Sequence, residues 1–189
     1  DLHLCDRRQR QMCIRDSGNS REIEAALQEH RIDLGLVEGI CRLPNLRYTT
    51  FLQDELVAVV HTGSKLSLPD EITPEDLSRI PLVLRERGSG TLDVFERALS
   101  EHNMKLSSLN VLLYLGSTES IKLFLEHTDC IGIVSIRSIS RELLSGTFRV
   151  IEIKGMPMLR EFCFAQPQGQ ESGLSQVLMQ FAMHHNKKL

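Results

Sequence analysis

Apolar residues along this chain fall into two periods, and the switch between them marks its elements. Ile23, Ala26, Leu27 and His30 recur at helical spacing, with Asn19 or Ser20 as the cap and Glu22 in the first turn. Residues 31–37, RIDLGLV, end in a nearly continuous apolar run, the pattern of a parallel strand covered on both faces. A loop with Gly39 and Pro44 leads to a long extended segment, residues 48–61, centred on LVAVV and with Asp54 and Glu55 just ahead. Thr73, Pro74, Glu75 and Asp76 have the composition of a helix start. Further strands are predicted at 109–115, 130–135, 148–153 and 160–165. A helix carries Ile121, Phe124 and Leu125, and a short one runs from Ser138 to a stop at Gly146. Gly132, inside CIGIVS, is expected to admit another backbone at close range. The last segment, 172–185, places Leu174, Val177, Leu178 and Phe181 on one helix face. Helices alternating with buried strands predict an α/β protein.

The stretch from 80 to 99, IPLVLRERGSGTLDVFERAL, is the most informative. It reads as a strand over 81–84, a glycine-rich turn, and a helix with Leu92, Phe95 and Leu99 on one face. Gly88 and Gly90 permit a tight turn, and Ser89 or Thr91 can cap the helix. A helix start with free N–H groups at the carboxyl end of a strand suits a small anionic or polar ligand, and equally describes an ordinary capped loop. The same device recurs at Ser117–Thr118 and, without a preceding strand, at Asn19–Ser20. Several such starts converging on one cleft would make a binding site.

Composition narrows the function classes. Of 189 residues, 41% are hydrophobic and 25% charged, an ordinary globular balance, and a formal net charge of −3 speaks against a nucleic-acid surface. The absence of Trp and the presence of only two Tyr argue against a base-stacking platform. Neither a bilayer-length apolar run nor a secretory signal is evident, so no membrane partner is expected. Five cysteines, at 5, 13, 41, 130 and 163, form no CxxC pair and suit buried reduced thiols in a cytoplasmic protein. Residues 1–17 are dense in Arg and Gln, lack periodicity, and read as a disordered or foreign leader; His3, Cys5 and Cys13 lack a fourth metal ligand. Scattered histidines and the lack of a triad, HExxH or Walker pattern predict no catalytic residues, no metal and no cofactor.

The segments GNSREIEAALQEHRIDLGLVEG, DELVAVVHTGSKLS, PLVLRERGSGTLDVFERAL, GSTESIKLFLEHTDCIGIVS and GTFRVIEI, in this order, resemble the effector-binding domain of LysR-type transcriptional regulators, from Gly18 to about Lys187. The resemblance implies a periplasmic-binding-protein-like (type 2) fold of two α/β subdomains joined by two crossing strands around a central cleft. Subdomain I would comprise 18–60 and 161–189, and subdomain II 61–160. It further implies a small-molecule effector held by Ser20, by Glu38 and Gly39, by Gly88, Ser89, Gly90 and Thr91, and by Ser117, Thr118 and Glu119. Arg85 and Arg87 read either as ligand cations or as solvated strand-end charges. The family's winged helix-turn-helix, linker helix and first subdomain elements would precede residue 18. Residues 1–17 resemble none of these, so the chain as given is expected not to bind operator DNA alone. Relatives associate through this domain, which predicts a homodimer or homotetramer. A stand-alone solute-binding protein is the alternative of the same fold.

Overall fold

The computed structural model describes residues 17–38, 43–169 and 173–186. The expectations for residues 1–16, including Cys5 and Cys13, and for Gly39 and Cys41 lie outside these. Helix α1, Ser20–Gln28, is capped by Asn19, whose side chain accepts from the Glu22 N–H, while the Glu22 carboxylate accepts in return from the Asn19 N–H. That reciprocal pair is a capping box. Strand β1, Gly35–Glu38, follows. Strand β2 runs from Leu46 to His61, sixteen residues, and is succeeded by the two-residue β3, Glu71–Ile72. The helix start at Thr73 yields only a five-residue 3-10 turn, in which Asp76 accepts from both the N–H and the hydroxyl of Thr73.

The second half is built from β4 (Leu82–Arg85), α2 (Gly90–Glu101), β5 (Val111–Leu115), α3 (Thr118–His127), β6 (Ile131–Ser135), α4 (Ser140–Leu144), β7 (Phe148–Ile153), β8 (Met158–Pro167) and α5 (Gly173–Asn186). The strands form one mixed sheet in the order β1-β8-β2-β6-β4-β5, with β7 on β2 and β3 on β7. Strand β2 changes neighbours along its length. Residues 46–56 pair with β8, 56–59 with β6 and 58–61 with β7, all antiparallel. Strands β4, β5 and β6 are mutually parallel.

Alternation along these strands sorts the core. Leu82 and Leu84 join Leu92, Phe95 and Leu99 of α2, whereas Val83 joins Ile121 and Leu125 of α3 on the opposite face. The sheet is therefore covered on both sides here, and every residue of β6 is buried. Gly132 of β6 leaves room for side chains: a Cβ there would stand 3.0 Å from Ile121 Cγ2 and from Leu125 Cδ1. The close approach comes from those side chains, a correction to the backbone contact expected. A separate, smaller core gathers Leu27, Val37, Leu46, Cys163 and Ala165 at the other end of the sheet.

Two expectations fail at that end. Strand β1 pairs antiparallel with β8, not parallel, and is covered on one face only, with Leu36 half exposed. His30 does not join the α1 stripe; it lies past the helix at φ 55, and Glu24 is buried instead. On α5 the face with Leu174, Val177, Leu178 and Phe181 is open to solvent, each of the four between 54% and 72% exposed.

Candidate functional site

Two long strands carry charges on their core-facing parity. Asp54 of β2 shares its side with Leu56, Ala58 and Val60, and Arg160 of β8 shares its side with Met158. The two residues are direct cross-strand partners. The Arg160 side chain is 3% exposed and that of Asp54 0%. Arg160 Nε donates to Asp54 Oδ2 at 2.8 Å, and Ser135 at the end of β6 donates from Oγ to Asp54 Oδ1 at 2.9 Å. The half-exposed Arg137 reaches 3.9 Å from the same Oδ1. Paired and hydrogen-bonded in this way, charges tolerate burial that would otherwise be prohibitive.

The other edge of the guanidinium faces the first turn of α2. Arg160 Nη1 donates to Thr91 Oγ1 at 2.9 Å and lies 2.5 Å from Glu38 Oε2. Thr91 in turn donates to Glu38 Oε1 at 3.2 Å. The Phe162 ring sits 4.8 Å from the guanidinium carbon, close enough for a cation–π contact. One buried arginine thus gathers β1, β2, β8 and the start of α2.

The seam is tight because its residues are small. Gly90 faces the Glu38 carbonyl so closely that a Cβ would lie 2.1 Å from that oxygen. Gly88 adopts φ +90 against Asn19, and its carbonyl accepts weakly from Arg21 N–H at 3.4 Å. Arg21 and Asp93 form a 2.9 Å ion pair across the same junction. Ser20 Oγ donates to the Glu38 carbonyl at 2.8 Å and accepts from the Glu38 N–H at 3.2 Å. Ser89 is buried and caps α2 by accepting from the Leu92 N–H at 3.2 Å.

Of the residues singled out from sequence, Ser20, Glu38, Gly88, Ser89, Gly90 and Thr91 are brought together here. Ser117, Thr118 and Glu119 stand apart, at the start of α3. Ser117 caps that helix by accepting from the Ser120 N–H, and the exposed Glu119 pairs with Lys122. Arg85 reaches this second group, donating to Gly116 O at 3.3 Å and approaching Thr118 Oγ1 at 3.5 Å. Arg85 is mainly engaged by Glu86, in two bonds of 2.8 and 3.0 Å. Burial works against the Glu86 carboxylate, but these bonds prevail and hold its pKa below the usual value. Arg87 is exposed.

Sequence reasoning missed Arg160, Ser135 and the role of Asp54. The available signal was parity: a charge on the inward side of an otherwise apolar strand needs a partner. Among the described residues no group of His, Cys, Asp and Glu could hold a metal, and no helix is long and apolar enough to cross a membrane. Burial, and secondarily the charge of Asp129, push the Cys130 thiol up to about 11, so it is protonated at neutral pH and a poor nucleophile. Cys163, the other cysteine among the described residues, is also buried.

Known proteins share this architecture. The regulatory domain of CcmR from Synechocystis PCC6803, solved in complex with 2-PG, superposes with a TM-score of 0.77 at 24% identity, over 90% of this chain and 81% of that one. The uncharacterized HTH-type transcriptional regulator YeiE of Escherichia coli K12 is 33% identical over 136 residues, 72% of this chain and 45% of YeiE. The HTH-type transcriptional activator CmpR of Synechocystis is 29% identical over 90% of this chain and 55% of its own length. The chain spans about half the length of these two curated relatives. Residues 16–187 match the LysR substrate binding domain. With nearly all of the chain inside that match, the protein belongs to the family of LysR substrate-binding domains.

Proposed function

We propose that the chain senses a small anionic or polar effector at the seam between two subdomains, 18–60 with 161–189 and 61–160, of its periplasmic-binding-protein-like fold. The convergence of Ser20, Glu38 and residues 88–91 on the buried Arg160 carries this reading, because polar groups meet there between separate apolar cores. The CcmR neighbour, solved with 2-PG, supports a small ligand for this fold. Ser117, Thr118 and Glu119, one strand away, would extend the site along the neighbouring helix start. The site binds and does not transform its ligand. Its hydroxyls are engaged as caps and bridges, and the relatives named above are regulators. Effector binding would alter the angle between the subdomains and so the arrangement of subunits.

The relatives named above are transcriptional regulators, and we place this domain in the same role, in a cytoplasmic homo-oligomer whose DNA contacts come from another domain. A thermal-shift screen of small carboxylates, sulfur oxyanions and sugar phosphates tests the sensing function. A hit should lose its shift in Thr91→Val and weaken in Ser117→Ala. A hit indifferent to both substitutions would place the effector elsewhere.

A further inference from the structure

Two carboxylates share one buried guanidinium at the seam, and they are not equivalent. Asp54 is fully enclosed and has three partners: Arg160, the Ser135 hydroxyl and, at longer range, Arg137. Among the described residues, Glu38 has Arg160 and Thr91 for its carboxylate, and its side chain is 19% exposed against 3% for Arg160. Removing Glu38 leaves Arg160 still neutralised by Asp54. Removing Asp54 would strand the Ser135 hydroxyl and the enclosed Nε–H of Arg160. Asp54 is therefore the structural counter-ion, and Glu38 is the one with a route to water.

Glu38 also sits where it can hold two units together. It is the last residue of β1, in the sheet end that carries the smaller core, while Thr91 lies in the first turn of α2 over the larger one. Its carboxylate is the only side chain among the described residues that bonds both Thr91 and Arg160 from β1. A carboxylate, sulfate or phosphate entering the seam would seek the same two partners, since a planar guanidinium and a hydroxyl are what such an oxyanion binds.

We propose that Glu38 is a built-in anionic latch: bound to Arg160 and Thr91, its carboxylate fastens β1 to α2 and competes with an anionic effector for those two side chains. This rests on the effector-site reading above. Binding of the effector releases Glu38 to solvent and unfastens the seam. The coupling between occupancy and subdomain angle is then a swap of one anion for another, with little change in the local charge. Removal of the latch should strengthen oxyanion binding, because the competitor is gone while Arg160 keeps its place through Asp54.

Calorimetric titration with sodium sulfate at constant ionic strength tests this on the full chain and on Glu38→Gln, Glu38→Ala, Thr91→Val and Glu38→Ala with Thr91→Val. Glu38→Gln keeps an oxygen for Thr91 and guards against loss of the fold, which circular dichroism checks. Sulfate affinity should rise about tenfold or more in both single variants. The gain should vanish when Thr91 is also replaced. Unchanged or weaker sulfate binding in both single variants overturns the latch, and so does a gain that persists without the Thr91 hydroxyl. If the single variants gain nothing while Thr91→Val in the unmodified background abolishes binding, the latch falls and the effector site stands. If Thr91→Val changes nothing in either background, both fall.

Discussion

At the scale of single residues, Arg160 governs the seam. A buried ion pair stabilises little relative to a well-packed apolar replacement, but stripping away one partner leaves an uncompensated charge. Arg160→Met should therefore lower stability by about 3–5 kcal/mol in urea denaturation, since Asp54 and Glu38 lose their shared cation. Asp54→Leu together with Arg160→Met should recover a large part of that loss. Glu24 offers a second test. Burial raises its pKa above the ordinary 4.5, against the opposing hydrogen bond that Tyr48 donates at 2.6 Å, and the charge of Asp93 adds to the rise. The folded state then holds this proton more tightly than the unfolded chain. The contribution of this one group to stability is full below about pH 4.5 and declines as pH climbs through the raised value. Glu24→Gln, which keeps an acceptor for Tyr48, should flatten that decline in urea midpoints measured across the interval. Neither Arg160 nor Glu24 announced itself in the sequence. Each is one charge within an apolar pattern, and a period that locates apolar faces is silent about which charge will find a partner across a sheet.

At the scale of elements, the periodic segments were legible and their ends were set by chemistry that could be named. The caps of α1, α2 and α3 fall on Asn19, Ser89 and Ser117, each a residue whose side-chain oxygen takes a first-turn N–H. The short strand β3 and the 3-10 turn after it were not legible. Two residues carry no period, and Pro74 with two acids describes a first turn whether or not a helix continues. The direction of β1 was misread for a similar reason, because a short apolar run looks alike in parallel and antiparallel settings. The candidate site was legible where it consists of loop and cap residues, since those have sequence signatures. It was dark where it consists of strand residues paired at long range. Gly90 illustrates the difference. Its turn-forming character was readable, yet its need to be glycine arises from the Glu38 carbonyl more than fifty positions away in sequence. Gly90→Ala should cost about 1–3 kcal/mol by overpacking this junction. Gly116→Ala, with nothing within 4 Å of the added methyl, should shift the melting temperature little.

At the scale of the whole molecule, open apolar surface stands out. Strand β5 lies at the sheet edge with Leu112, Leu113 and Tyr114 exposed, and Leu123 of the adjoining α3 is 61% exposed. An edge strand of this character is a template for pairing with another copy, which supports the proposed homo-oligomer. Light scattering should show a concentration-dependent shift toward larger species, and Leu123→Glu should move it toward monomer without lowering stability. A monomer at all concentrations in the parent chain would count against association through this face. The same scale holds the consequence of β2. Among the described residues its first half finds a strand partner only in β8, about a hundred residues downstream, and β1 depends on that same late strand. A ribosome adds on the order of 5–20 residues per second, so these early strands emerge many seconds before anything can pair with them. Closing so long a loop is also entropically slow. For that interval the nascent chain offers bare strand edges to chaperones and proteases, and a ribosome stalled short of Met158 would leave them bare for good.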